Sequence, residues 1–548
     1  MRKTAFIILF ALAAMSAQAQ TAYDAFRFSE RNYEGTARSV AMGNAFTALG
    51  GDLGSIGINP AGSAVAKYSQ FTITPSLTVS TNTTHGVSPY SDGYLPYFEK
   101  QFKQTATHFA IPNFGMTFNW DTGRSSGLKN VTFGFVMNRV NDWNEDVFAK
   151  GRNSTTSFMG AMATEATEMG LLGSNLNMNN AYDYDPWKYV VGYQSGMIST
   201  FGGYDDQFVG ASELLQKNNM GDTEIFLGGP LDQSYGRRVR GGKNDYLINL
   251  GFNISDFLYI GANLGITSMN YTYDEYFKEK AVDPDDFGIE LDNGKMAYFN
   301  SMKYTYSYGA NTSGVYGKFG FILTPGLGLR IGAAIQTPTA TTVNEYWYYS
   351  GETTYKDKSF NGYAESPEGE YQYRFSEPWR ANLGVAWTLG KFAVFSADYE
   401  MCNYSSMKFR RNGFDDGREY FIDLNDEIRS IYGKSQMFRA GVEIKPMDVL
   451  ALRAGYGVTT SPEKFNLNGE QLDIPAAQNV SFGLGFISRK SFFADMACRY
   501  AFATDEYFMP YNDYILYEDG TPMEDAYAPE ICNTKSAWKV LLTLGWRF

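Results

Sequence analysis

Few residues in this chain have the types and spacing that chemistry needs. Only two histidines occur among its 548 residues, His85 and His108. Barrel hydrolases pair a serine with a histidine base, and a third group orients the ring. His108, near the start of a strand, is the candidate base. No Gly-x-Ser-x-Gly elbow stands near it, however, and nothing in the sequence supplies the third member. Neither histidine has a partner at metal-ligand spacing. Cys402, Cys498 and Cys532 lie far apart. Their odd number argues against a full disulfide framework and allows at most one pair. The acidic stretches Asp415 to Glu419 and Asp513 to Asp525 lack a regular calcium-ligand motif and read as solvated loop acids. Gly314 to Gly320 alternates as strand residues do and does not form a phosphate loop. A net charge of −13 offers no basic surface for nucleic acid. No enzymatic activity, cofactor or metal is expected.

A second set of charges is more informative because of where it falls. Arg330, Asp398, Arg439, Glu443, Arg453, Asp495, Arg499 and Arg547 lie on the polar faces of alternating runs. One use for them is to line a selective path. The favoured one is a structural network of ion pairs that holds a plug in a lumen, since charges kept off a lipid face should pair.

Those faces belong to elements that alternate with period two. Tyr246, Ile248, Leu250, Phe252 and Ile254 point one way, and Leu247, Asn249, Gly251 and Asn253 the other. After Ser255-Asp256 the pattern resumes with Leu258, Ile260, Ala262, Leu264 and Ile266, so the two runs form a hairpin. Counting such runs predicts about fourteen strands: 70–81, 109–119, 130–141, 245–254, 257–271, 313–324, 327–337, 379–388, 391–402, 436–445, 448–459, 479–487, 491–502 and 537–548. Short connections such as Ser255-Asp256, Pro325-Gly326 and Leu389-Gly390 alternate with long ones near 82–108, 142–244, 272–312, 338–378, 403–435, 460–478 and 503–536. Short turns on one side and long loops on the other is the bacterial outer-membrane arrangement. Abundant Tyr (40), Phe (41) and Gly (56) fit an aromatic-girdled barrel better than a soluble enzyme. The expected fold class is all-β: a transmembrane antiparallel β-barrel. A soluble sandwich also alternates, but the number and length of the runs favour the membrane form.

The start of the chain agrees. Arg2 and Lys3, the apolar run Ala5 to Ala14 and Ala17-Gln18-Ala19 read as a signal peptide over residues 1–19. No stretch approaches the roughly 18 apolar residues of a membrane-spanning helix. Residues 36–62 then read as a short helix, with Ala37, Ala41, Ala45 and Ala48 on one nearly bare face, a stop at Gly50-Gly51 and a turn at Asn59-Pro60. The spaced run Ala37, Gly43, Ala45, Phe46, Asp52 and Asn59-Pro60-Ala61-Gly62 resembles the start of the FadL/TodX family of outer-membrane transporters. That resemblance implies a small helical hatch, here residues 20–68, plugging a fourteen-stranded barrel over 69–548. It assigns Asn59, Pro60, Ala61 and Gly62 to hatch geometry. The closing strand, with Trp538, Val540, Leu542, Leu544, Trp546 and Phe548 on one face, resembles the signal read by the outer-membrane barrel assembly machinery, with Trp546 and Phe548 as its key residues.

The segment 142–244 departs from a simple barrel. It is too long for a bare loop and is expected to fold over the mouth, with a short helix near Thr164 to Leu172. Met162, Met169, Leu171 and Leu172 there suit either a hydrophobic ligand or the core of a cap. The resemblance implies passive, hatch-gated uptake of hydrophobic molecules, such as long-chain fatty acids or aromatic hydrocarbons, in an outer membrane of lipid and lipopolysaccharide. In the family, ligand leaves through a gap in the barrel wall. Three alternatives are a hydrophilic porin, which a hatch would obstruct, a haem or other small-molecule receptor, and a surface adhesin or structural barrel using 142–244.

Overall fold

A computed structural model describes the chain except for residues 1–20, 88–97, 99, 218–222, 291–293, 412–420, 465, 468–469, 472–475, 489–490, 513, 515–516, 519–520 and 523–527. The signal-peptide stretch and the acidic run at 415–419 lie outside the described residues, as does most of 513–525.

Fourteen antiparallel strands close on themselves. In chain order they are β1 (Gln70–Val87), β2 (Phe102–Asp121), β3 (Leu128–Asn153), β4 (Leu231–Ile254), β5 (Leu258–Ala281), β6 (Met296–Gly326), β7 (Leu329–Gln336), β8 (Arg380–Leu389), β9 (Ala393–Asn403), β10 (Lys434–Met447), β11 (Leu450–Thr459), β12 (Ala477–Ile487), β13 (Phe492–Phe508) and β14 (Glu530–Arg547). β14 pairs with β1 from Arg547↔Gln70 to Glu530↔Val87 and so closes the ring. Phe548 and Ser69 exchange backbone hydrogen bonds at its foot.

Each strand shows the alternation the sequence carries. Leu250, Leu264, Phe321, Phe395, Leu452, Leu484 and Leu542 are exposed on the outer face, while Asn249, Asn253, Thr267 and Lys318 are buried on the inner one. An apolar belt outside and a polar lining inside is the pattern of a membrane-spanning barrel. The β4–β5 hairpin turns on Ser255 and Asp256 at φ 59° and 55°, the doubly left-handed geometry that matches strand twist.

The strands outrun the expected bounds at the end that carries the long loops. β3 continues to Asn153 and β4 begins at Leu231, so 142–244 is part wall and only 154–230 is insertion. β5 and β6 extend through most of the supposed loop 272–312, and Thr339–Tyr355 and Gly369–Glu377 carry β7 and β8 upward beyond Pro338 and Pro378. Above the lipid the outer face is wet, so it no longer needs apolar residues and the alternation fades. The turn expected at Pro325-Gly326 falls instead at Leu327-Gly328, both at positive φ.

Inside the barrel, two short helices, α1 (Ala22–Ser29) and α2 (Ala37–Ala41), and 3₁₀ turns at Gly54–Gly57 and Pro60–Val65 form the plug. The insertion carries α3 (Phe158–Glu168) and α4 (Trp187–Gln194).

Candidate functional site

The hatch is built from local signals. Thr36 caps α2 by accepting from Ser39 N and donates to Asp52 at 2.7 Å. The helix then stops four residues short of Ala45, because Gly43 and Asn44 both take positive φ. Ala45 and Ala48 therefore do not continue the α2 face, contrary to the alanine spacing. The turn is required by close packing. A Cβ on Gly43 would meet the backbone oxygens of Ala440 and Tyr456 within about 3 Å.

Asn59 is wholly buried and serves three partners. Its Oδ1 accepts from Ala61 N (3.1 Å), and its Nδ2 donates to Thr47 O (2.6 Å) and to Phe321 O on β6 (3.1 Å). Pro60 opens the last 3₁₀ turn, where a missing N–H costs nothing. Its carbonyl accepts from Asn249 on β4 (3.1 Å). Gly62 lies against Gly50, and its carbonyl accepts from Gly51 N (2.8 Å). The four residues Asn59 to Gly62 thus act as a cap and a clamp, more than the expected turn.

The wall makes room for the plug with glycine. Any Cβ on Gly261, Gly332, Gly441, Gly455 or Gly483, in five different strands, would fall within 3.0 Å of hatch atoms. These wall glycines were not singled out by sequence reasoning. Their signal was present, since they recur on the polar face of the alternating runs.

Charge completes the fit. Hatch Arg38 meets Glu443 at 2.9 Å, and Arg453 bridges Glu443 and Asp495 at 2.6 Å each. Arg31 reaches Asp245 (2.5 Å), while Glu34 faces Lys539 and Arg499. Asp398 accepts from Thr47 N, and Arg330 donates to Leu49 O at 2.6 Å. Arg439 pairs with Glu400 (3.2 Å), and Arg547 lies over the rings of Tyr68 and Phe493. Six of the eight inward charges, Asp398, Arg439, Glu443, Arg453, Asp495 and Arg499, thus sit in ion pairs, as the favoured reading expected of most of them, whereas Arg330 is held by a carbonyl and Arg547 by aromatic rings. Below the hatch, at the turn end, a cavity of about 200 Å³ is lined by Arg38, Asp52, Glu443, Arg453, Asp495 and Arg547, a poor surface for an apolar solute.

The wall itself is interrupted once in its described ladders between β2 and β3. Their pairing runs from Asp121↔Asn130 to Asn113↔Asn138 and stops. Above it, β2 continues to pair with β1 alone. β3 shifts register against β4 at Val140 and bends inward until Phe148 O accepts from Thr84 of β1 (2.5 Å). A notch of about 250 Å³ opens there, lined by His108, Arg139, Arg240, Asn244, Ser268 and Asn270. Arg139 lies 3.2 Å from His108 Nε2 and 3.0 Å from Asp142. His108, the one candidate base, thus faces an arginine and a carboxylate. Among the described residues no serine hydroxyl is bonded to it. The three cysteines are unpaired, so the one permitted disulfide is not formed.

Over the mouth, the insertion packs with the tops of β4, β5 and β6 and with Tyr511 and Tyr514 into one core. Met162 is buried in it, and Met169 and Leu171 pack against it. Only Leu172 of the four is largely exposed. The helix there is Phe158–Glu168, earlier in the chain than expected. Glu213 in this cap is buried, accepting from Gly210 N (2.8 Å). Burial pushes its carboxyl up to about 7, with the Gly210 amide and the Tyr514 hydroxyl pulling the other way. The neighbouring carboxyl, Glu279, is held by Phe158 N and Gln233. Because the folded cap binds the Glu213 proton more tightly than the open one, cap stability is full below about pH 4.5 and falls as pH rises towards 7. The loss is on the order of 3 kcal/mol at most. Burial raises Glu279 likewise, to about 8, so protease cleavage within 154–230 should be faster at pH 8 than at pH 5, and Glu213→Gln should weaken that dependence while leaving the part due to Glu279.

These features define a class: a transmembrane barrel whose lumen is stoppered by its own N-terminus and whose wall is notched to the side. Among solved structures, the chain aligns with a Pseudomonas aeruginosa FadL homologue at 12% identity and TM-score 0.50, over 94% of this chain and 99% of that one. It also aligns with the Pseudomonas putida toluene transporter TodX (12%, 0.48, 94% and 98%) and the Ralstonia pickettii toluene transporter TbuX (13%, 0.44, 94% and 98%). No family model and no curated protein matches the sequence. The fold is that of the FadL homologue.

Proposed function

We propose that this protein is an outer-membrane channel, not an enzyme, for the passive uptake of hydrophobic compounds. Long-chain fatty acids or aromatic hydrocarbons are its proposed ligands. The observation that carries the reading is the combination of a charged, plugged axial route with a side notch where the β2–β3 ladder stops. The axial floor would require an apolar solute to displace the plug and its paired charges, whereas the side notch, although lined by His108, Arg139 and Arg240, lies in a wall that faces lipid. The likeness in fold to the FadL homologue supports the same reading.

In this reading residues 1–19 are a signal peptide, 20–68 the gating hatch and 69–548 the barrel, seated in a Gram-negative outer membrane among lipid and lipopolysaccharide. Asn59, Pro60, Ala61 and Gly62 set the hatch. Trp546 and Phe548 are the assembly signal. Trp546 stands on the outer face with its ring 5.3 Å from that of Phe492, and Phe548 closes the ring at Ser69. Deleting Phe548 should lower the yield of heat-modifiable barrel several-fold, measured by gel shift of outer-membrane fractions.

Uptake of labelled oleate, toluene and a hydrophilic sugar by cells with and without the protein tests the function. Protein-dependent entry of oleate or toluene supports it. Sugar entry alone would indicate a porin, and no effect on any solute would favour an adhesin using the cap.

A further inference from the structure

Of the eight inward charges on the wall, Arg547 alone has neither an ion pair nor a side-chain hydrogen bond among the described residues. Its guanidinium is held by ring faces instead. The central carbon lies 4.7 Å from the ring centroid of Tyr68 and 4.9 Å from that of Phe493. The Phe493 ring is itself seated. It lies over Gly545, where any Cβ would fall within 3.0 Å of three ring atoms. Stacking fixes the plane of a guanidinium and leaves its five N–H donors at the edge. Among the described residues none of these donors meets a protein acceptor, and Nε is buried.

Arg547 lines the floor cavity of about 200 Å³, and the other charges there are already committed. Arg453 bridges Glu443 and Asp495, while Arg38 and Lys445 reach Glu443 at 2.9 and 3.5 Å. Asp52 accepts from the Thr36 hydroxyl and from Gly54 N. Four cations, Arg38, Lys445, Arg453 and Arg547, thus line the cavity with three carboxylates. The surplus charge is Arg547. A buried donor set with no protein partner calls for an acceptor from outside the chain.

We propose that this cavity is a binding site for a small oxyanion, a carboxylate or a phosphate group, with Arg547 as its anchor. The guanidinium fork matches two oxygens of either group, and the entering charge neutralises the surplus of the lining. The lining belongs to the inner face, so the anion arrives from the aqueous phase at the turn end. Arg38, Asp52 and Tyr68 belong to the hatch, and Lys445, Glu443 and Arg547 to the wall, so the site spans their joint. An anion that binds only the closed joint holds the hatch by mass action. At ten times its Kd, opening of the hatch falls about elevenfold. This inference does not rest on the transport reading.

The test is titration calorimetry of the folded barrel in uncharged detergent, with inorganic phosphate and with acetate at constant ionic strength in chloride. Arg547→Gln removes the anchor, and Arg547→Lys keeps the charge without the fork. Arg547 stands next to the last residue, so Tyr68→Leu, which removes one ring from outside the strands, keeps the test open should those barrels not form. Lys129→Gln on β3, at the same end and paired with Asp256, is the control. Heat-modifiability verifies each barrel. The expected result is saturable binding of at least one anion by the parent, about tenfold weaker in Arg547→Gln. Arg547→Lys and Tyr68→Leu should be intermediate, and Lys129→Gln parental. Hydrogen exchange of hatch amides 36–54 should slow about elevenfold at ten times Kd in the parent and not in Arg547→Gln. Heat from phosphate alone assigns the site to phosphate, and heat from acetate alone to carboxylates. Absence of binding by both anions, or binding that Arg547→Gln and Tyr68→Leu leave unchanged, overturns the proposal. Binding without slower exchange upholds the site and removes its hold on the hatch.

Discussion

Replacing Asn59 with alanine should free the hatch while leaving the barrel intact. The side chain is wholly buried and ties three things together: the start of the last 3₁₀ turn at Ala61 N, the hatch loop at Thr47 O and the wall at Phe321 O. Alanine removes all three bonds and puts nothing in their place. A buried group left without a partner costs about 1–3 kcal/mol. The stranded Ala61 amide and Thr47 carbonyl together should cost the hatch roughly 3 kcal/mol. Phe321 O loses less, because β6 still pairs with β7 through Phe321↔Ala333. Hydrogen exchange of the hatch amides should accelerate by about two orders of magnitude, since each 1.4 kcal/mol is tenfold. The wall ladders should exchange at the parental rate. In planar bilayers the variant should show transient openings that the parent lacks. Parental exchange of the hatch amides would mean that the ion pairs at Arg31, Glu34 and Arg38 suffice to hold it.

An effect of similar size is expected from Gly455→Val, by the opposite route. On β11, a Cβ at this position would fall within 3.0 Å of Met42 C, Gly43 N and Gly43 Cα. These are backbone atoms, and Gly43 is itself at positive φ, so the hatch cannot yield by rotating a side chain. Overpacking of this kind costs about 1–3 kcal/mol, and the two further methyls of valine place the cost at the upper end. Either the hatch is displaced or the barrel melts earlier. Gly457→Ala, two residues along the same face, separates steric cost from any general effect of losing glycine. There the added Cβ meets only the flexible Asn479 side chain at about 3 Å. Thermal unfolding followed by circular dichroism, with hatch protease sensitivity, should register the valine variant strongly and the alanine control little.

The parts legible in the sequence and those that were not separate along a physical line. Lipid imposes its demand one residue at a time. Every second side chain of a spanning strand must be apolar, so the run Tyr246 to Ile254 and its hairpin partner announce themselves locally. The fourteen strands, their order and the polar inner face followed from that rule alone. The left-handed backbone at Gly50-Gly51 was readable, because it is a property of the residue, but the helix it was expected to end stops at Ala41. The rule fails above the belt. Where β5 and β6 leave the lipid, their outer faces lose the alternation, and the strands were read some ten residues or more too short.

The site was harder to read because its parts are distant in sequence. Arg38 and Glu443 are 405 positions apart, and nothing local pairs them. The spacing of Ala37, Ala41, Ala45 and Ala48 argued for one continuous helix. Only the approach of Ala440 and Tyr456 backbone explains why the chain turns at Gly43. In β2 the alternation slips by one residue at Pro112-Asn113, where the ladder to β3 stops, but that slip alone does not say where the neighbouring strand goes. Whether a strand edge is paired depends on where its neighbour goes, and β3 goes inward, where its Arg139 and Val140 carbonyls meet the Glu34 and Asn32 amides of the hatch. By itself, then, the sequence determined the barrel, since burial against lipid acts on each residue separately. The tertiary structure alone decided how the plug is held and where the wall opens, since both are agreements between segments that meet only when the barrel closes.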